Sequence, residues 1–185
     1  MPDGSRSRVG PEACAEIDKG IPVMTGASVE VSDAASGEVE VRWSPPTDAD
    51  TVEAFPGPYR YAVEARPDAG AEWTVIYEGL TGAVLGELDT VHVHTGIDSE
   101  GPAWRYRVTA WSGGDAIGLS TPAPVPDLQL GPEDNSMVLS VPAGRPWFDT
   151  AYVFHRIAPD GTPTLLDTVA LPQFTDTGPV SYTHL

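Results

Sequence analysis

The chain is 185 residues long, the span of one ordinary domain or two small ones, and 41% of it is apolar, enough to build a core. Its 27 acidic and 10 basic side chains leave a formal charge of -17, so phosphate backbones and anionic lipid surfaces are repelled and nucleic acid is not an expected partner. The 19 glycines and 19 prolines stay below the Pro and Gly content of low-complexity sequence, the single Cys14 supplies neither an intrachain disulfide nor a thiolate zinc cage, and no run reaches the length of a membrane span.

Residues 1–20 lack the apolar stretch of an export signal. From there on, apolar and polar residues alternate over short runs separated by Pro, Gly, Asp and Ser clusters, the pattern of an all-β sandwich. Val39, Val41 and Trp43 oppose Glu38, Glu40 and Arg42 and predict a half-buried strand. A long polar loop follows from Pro45 to Gly57. Tyr59, Tyr61, Val63 and Ala65 then share one face of a strand that Pro58 can only precede, because proline donates no ladder hydrogen bond. Trp73, Val75 and Tyr77 read as one face of the next strand, and Gly79 to Gly86 as a glycine-rich connection. Val91 and Val93 oppose His92 and His94, and the histidine side is read as a solvated face. Trp104, Tyr106, Val108 and Ala110 alternate with Arg105, Arg107 and Thr109, and Ser112 to Asp115 closes that strand. A last strand through Ile117 and Leu119 leads to Pro122, Pro124 and Pro126, read as a rigid linker.

Past the prolines the pattern starts again. Met137, Leu139 and Val141 echo Val39, Val41 and Trp43; Tyr152 with Phe154 echoes Tyr61 with Val63; Asp176-Thr177-Gly178 echoes His94-Thr95-Gly96. The offset shrinks along the copy, so its loops are shorter. The expected organisation is tandem antiparallel sandwiches: a complete copy at residues 21–124 and a shortened one at 125–178, which stops before any counterpart of Trp104 to Leu119. Val41, Trp43, Tyr61, Val63, Trp104, Tyr106 and Val108 form the expected core of the first.

These residues resemble fibronectin type III modules, which are immunoglobulin-like sandwiches of roughly 100 residues. Trp43 on the second strand, Tyr61 on the third and the aromatic run on the sixth carry the likeness. More narrowly, Ile21-Pro-Val23, Gly37-Glu-Val-Glu-Val-Arg-Trp43-Ser-Pro45, Pro56-Gly-Pro-Tyr-Arg-Tyr61 and Arg105-Tyr-Arg-Val108 look like the tandem modules of Bacteroidota gliding-motility-associated surface proteins. That resemblance implies export by the type IX secretion system and an extracellular or cell-surface parent protein. It covers residues 21–124 well and 125–178 less well, through Pro146-Trp147 and Tyr152-Val-Phe-His-Arg156. Two departures stand out: Trp104 where the family usually has its corner tyrosine, and Val141 in place of the second-strand tryptophan. Residues 1–20 resemble the last hairpin of a preceding module, which would leave Cys14 without an upstream partner, and Val180-Ser-Tyr-Thr-His-Leu185, within residues 179–185, resembles translated sequencing adapter.

Chemistry-bearing residues are few. His92 and His94, two apart on a strand, could hold a metal only with a carboxylate from a neighbour. Asp48, Asp50 and Glu53 alternate in a loop but lack the glycine and the terminal acid of a calcium-binding hand. Neither a nucleophile elbow nor a phosphate-binding glycine loop occurs, and His155 sits on a strand beside Arg156. No catalytic, cofactor-binding or metal-binding residue is therefore expected. Trp111 breaks the inward parity of its strand and should face outward, near residues 1–20; Trp147 should approach the Gly96 to Pro102 loop. Both are candidate contact surfaces. The leading expectation is a non-catalytic spacer or adhesion module that contacts its neighbouring domains and could meet a protein or glycan ligand. The alternative is a carbohydrate-binding or substrate-presenting accessory module of a secreted hydrolase, with Trp111, Trp73 or Trp147 as stacking platform.

Overall fold

A computed structural model describes residues 20–67, 70–126, 128–133, 136–141, 151–158, 160 and 162–178. Trp147, Cys14, the other residues of 1–19 read above as a preceding hairpin, and residues 179–185 read as an adapter lie outside the described residues.

Alternation of apolar and polar side chains produces eight strands among the described residues up to Pro124: β1 (Val23–Val31), β2 (Gly37–Ser44), β3 (Tyr59–Pro67), β4 (Thr74–Glu78), β5 (Val91–Ile97), β6 (Trp104–Ser112), β7 (Asp115–Leu119) and the short β8 (Ala123–Pro124). They form two antiparallel sheets, one ordered β1-β2-β5 and the other β4-β3-β6-β7 with β8 paired to β6. In an immunoglobulin constant domain the fourth strand lies in the sheet of the first; here it pairs with the third, Val63 opposite Tyr77. The result is an all-β, antiparallel, fibronectin type III-like sandwich.

Its core lies between the sheets. Met24, Ala27, Val39, Val41 and Trp43 face Tyr61, Val63, Ala65, Tyr106, Val108 and Ala110, all buried. The Trp43 and Tyr61 rings meet edge to face with centroids 5.6 Å apart, a geometry that adds roughly 0.5–1.5 kcal/mol to the burial of two large aromatics. The Trp43 Nε1 is buried without an acceptor among the described residues.

Four expectations change. Trp104 is only half-buried at the margin of the core, because its indole Nε1 donates to the carbonyl of Asp98, 2.7 Å away, and so holds the ring at the sandwich end. His92 and His94 are not on a solvated face. Val39 on β2 pairs with His94 and Val41 with His92, so the histidines share the inward side of the valines, while Val91 and Val93 point to solvent. Trp73, Val75 and Tyr77 do not share a face, since a register shift opposite Val63 and Glu64 adds a residue to β4 and turns Tyr77 inward while Val75 stays outward. The Pro122 to Pro126 segment is more than a linker: Ala123 and Val125 are buried in the same core, and Val125 N donates to the carbonyl of Trp104 at 2.9 Å.

Glycine is required at two points. Ser112 pairs with Asp115, which leaves a two-residue turn in which Gly113 has φ +57°. Gly118 lies against the backbone of Gly20, where a Cβ would come within 2.5 Å of the Gly20 oxygen.

The remaining strands are β9 (Gln129–Glu133), β10 (Ser136–Ser140), β11 (Tyr152–Ile157), β12 (Pro163–Val169) and β13 (Gln173–Asp176). Their pairing, β13-β10-β9 in one sheet and β11-β12 in another, reproduces in chain order that of β5-β2-β1 and β3-β4. Phe154 on β11 is buried and stacks on Phe174 of β13, with centroids 5.6 Å apart. Arg156 ties the same two strands by an ion pair to Asp176 and a 2.8 Å hydrogen bond to the carbonyl of Gly178. The arginine's hydrogen bond holds the Asp176 carboxyl below the usual carboxylate range.

Candidate contact surface on the outer face of the larger sheet

Because side chains alternate across a strand, the residues of β3 and β6 that are not in the core line the outer face of the larger sheet. The register places Arg60 opposite Trp111, Ala62 opposite Thr109, Glu64 opposite Arg107 and Arg66 opposite Arg105. Four of the chain's ten basic residues are thus collected on one face. Trp73, just ahead of β4, joins them: the guanidinium carbons of Arg66 and Arg107 lie 4.4 and 4.3 Å from its ring centroid. Arg60 covers Trp111 in the same manner at 4.8 Å. Each such contact is worth about 0.5–1 kcal/mol at an exposed site.

The arginines differ in their partners. Arg107 grips Glu64 with two hydrogen bonds, Nε at 2.8 Å and Nη2 at 3.1 Å, on a site where both side chains are mostly covered; this fork is the strongest polar contact of the face. Arg60 meets Glu78 at 3.1 Å in a more exposed pair. Among the described residues Arg66 has only a 3.4 Å bond from Nη1 to the carbonyl of Ala71, and Arg105 has no acceptor. The Nε atoms of Arg66 and Arg105 and the Nε1 of Trp111 are buried without hydrogen-bond partners among the described residues. Two like charges directly opposite each other across a strand pair destabilise the sheet unless something offsets them.

Trp111 therefore faces outward as its parity predicts, half-buried beneath Arg60. Its expected neighbour, residues 1–20, is described only at Gly20, which rests on β7 against Ile117 and Gly118. Val41, Tyr61, Val63, Tyr106 and Val108 lie in the core, away from this face. Of the tryptophans expected to stack sugars, the two described ones, Trp73 and Trp111, have guanidinium groups over their rings. The sequence signal for these ladders was a tryptophan placed at outward parity with arginines opposite. A second missed feature is Tyr59, buried, whose hydroxyl donates to the carbonyl of Phe55 at 2.6 Å and pins the end of the long loop.

At one side of the sandwich β5 and β4 close the seam between the sheets with rings. His92 stacks on Tyr77 with centroids 4.4 Å apart. His94 meets the Trp104 and Tyr106 rings edge-on, and its Nδ1 lies 3.1 Å from the Tyr106 hydroxyl. Burial lowers the proton affinity of both histidines, and His92 lowers that of His94 further. Burial also pushes the Tyr61 phenol up to about 12 and the Tyr106 phenol higher still. In the acidic loop, Asp48 accepts from Gly20 N at 3.0 Å, and Asp50 accepts from Val52 N and Glu53 N at 3.1 and 3.0 Å. These carboxylates shape backbone turns. Among the described residues no three His, Cys, Asp or Glu side chains converge as a metal site would need. His155 is exposed on β11.

No family model matches the chain, and no curated protein does. Among solved structures, it is similar to an Fn3-like protein from Clostridium thermocellum, at 21% identity and a TM-score of 0.38, over 59% of this chain and 93% of that one. It is also similar to a stretch of titin domains, at 18% identity and a TM-score of 0.37 over 58% of this chain. A third likeness is to the twitchin kinase region of C. elegans, at 19% identity and a TM-score of 0.35 over 57% of this chain. The chain spans 30% and 16% of the last two. The strand order and register, not these likenesses, define the fold described above. Among the described residues no helix is long and apolar enough to cross a membrane.

Proposed function

We propose that the chain is part of a non-catalytic spacer or adhesion segment in a larger secreted or cell-surface protein. The observation that carries this reading is the repetition of strand pairing: β9 to β13 redo β1 to β5 in the same order, as modules in a tandem array do. Fold alone does not fix function, so the side chains matter. The tryptophans on the outer face brace arginines, and the loop carboxylates Asp48 and Asp50 hold backbone N–H groups. The high negative charge keeps such segments soluble. Surface location and type IX export enter through the motif resemblance of residues 21–124, and fractionation of cells expressing the full reading frame tests them.

The carbohydrate-binding reading is the weaker of the two, because a sugar would have to displace guanidinium groups from the Trp73 and Trp111 rings. A glycan array separates the readings. A spacer gives no signal that depends on these rings, and the proposal fails if the chain binds a glycan and Trp73→Ala or Trp111→Ala abolishes that binding.

A further inference from the structure

The two outer faces of the first sandwich differ in charge and in what they leave unpaired. On the larger sheet Arg66 and Arg105 oppose each other with no carboxylate partner among the described residues. On the smaller sheet Glu38 lies between Val31 on β1 and Thr95 on β5, and the exposed Val31, Val91 and Val93 share its face. Glu40, on that face too, is paired with Arg42 at 2.6 Å, whereas Glu38 has no basic partner among the described residues. We propose that these faces are the two halves of one contact between copies of this chain, with Arg66 and Arg105 of one copy receiving Glu38 of the next.

The contact is heterologous, face to opposite face, so it continues from copy to copy instead of closing on a dimer. Its strength is bounded by its size. Three strands about 4.8 Å apart and about eight residues long cover roughly 14 by 27 Å, or about 400 Å² a side. A stable complex buries about 800 Å² a side, so a single contact is weak and transient. Strings of modules running side by side would multiply it through effective concentration, which takes the inference beyond a passive spacer. The charge of -17 opposes approach at long range. At 0.15 M salt the screening length is about 8 Å, so through solvent an apposed face meets the nearby arginines with little screening, while carboxylates elsewhere on the surface are largely screened. The signature is a maximum in salt: copies stay apart near 0.01 M, where screening reaches about 30 Å, associate near 0.15 M, and separate again near 1 M, where it is about 3 Å.

Sedimentation velocity of the full chain across concentration and salt tests this. The wild type should show a weight-average sedimentation coefficient that rises with concentration at intermediate salt only. Arg66→Glu/Arg105→Glu and Glu38→Arg should each remain monomeric, and an equimolar mixture of the two should associate. Circular dichroism checks that both are folded, and Arg66→Gln/Arg105→Gln serves in place of the glutamate pair if that pair unfolds. A wild type that sediments as a monomer up to millimolar concentration at every salt overturns the proposal. So does self-association that persists in the folded variants, or binding of an acidic polysaccharide by the arginine face without self-association.

Discussion

Trp43 carries its indole N–H into the core with no acceptor among the described residues, while its ring meets Tyr61 edge-on. The ring and the nitrogen therefore pull in opposite directions. Trp43→Ala should lower stability by about 3–5 kcal/mol, as large aromatic deletions do. Trp43→Phe should cost about 1 kcal/mol or less, because it keeps a ring and relieves an unsatisfied buried donor worth about 1–3 kcal/mol. Urea unfolding of both variants checks this; equal losses would show that the N–H has a partner. The seam histidines make a second claim at this scale. Their folded proton affinities are lowered by burial, so below the ordinary value of about 6.5 the unfolded chain binds more protons and stability rises with pH through that window. The carboxylates of so acidic a chain contribute their own pH dependence, so the measurement is a difference. Between pH 7 and pH 5 the melting temperature of wild type should fall further than that of His92→Gln/His94→Gln.

At the scale of elements, the outer face of the larger sheet ties β3, β4 and β6 together through Trp73, Arg66 and Arg107. Trp73→Ala removes two ring contacts at once and should cost about 1–2 kcal/mol, read as a lower urea midpoint; an unchanged midpoint would mean the arginines restack elsewhere. Strands β9 to β13 are less well supported. β3 pairs on both sides, with β4 and β6, whereas β11 pairs with β12 and, among the described residues, with no other strand. An open edge and a small sheet leave little to hold it. Residues 125–185 expressed alone should therefore show no cooperative thermal transition, while residues 21–125 melt cooperatively.

Across the whole molecule, period-2 alternation made the sandwich and its core legible: Val41, Trp43, Tyr61, Val63, Tyr106 and Val108 are inward because each alternates with charged or small residues on a strand flanked by turn formers. Alternation could not place Tyr77, since a bulge resets parity. Nor could it orient His92 and His94, where valines and histidines alternate and the half that meets Tyr77, Trp104 and Tyr106 is decided by the opposite sheet. The arginine face was visible only as a polar stripe, because cation-ring stacking depends on the register between β3 and β6. Peptide-resolved hydrogen exchange of the intact chain tests the central claim, that the sandwich of β1 to β8 is followed by strands that repeat the pairing of β1 to β5. Amides of β2, β3 and β6 should exchange last and together, with those of β9 to β13 exchanging earlier as a separate group. A single cooperative unit spanning both sets, or early exchange around Trp43 and Tyr61, would contradict it.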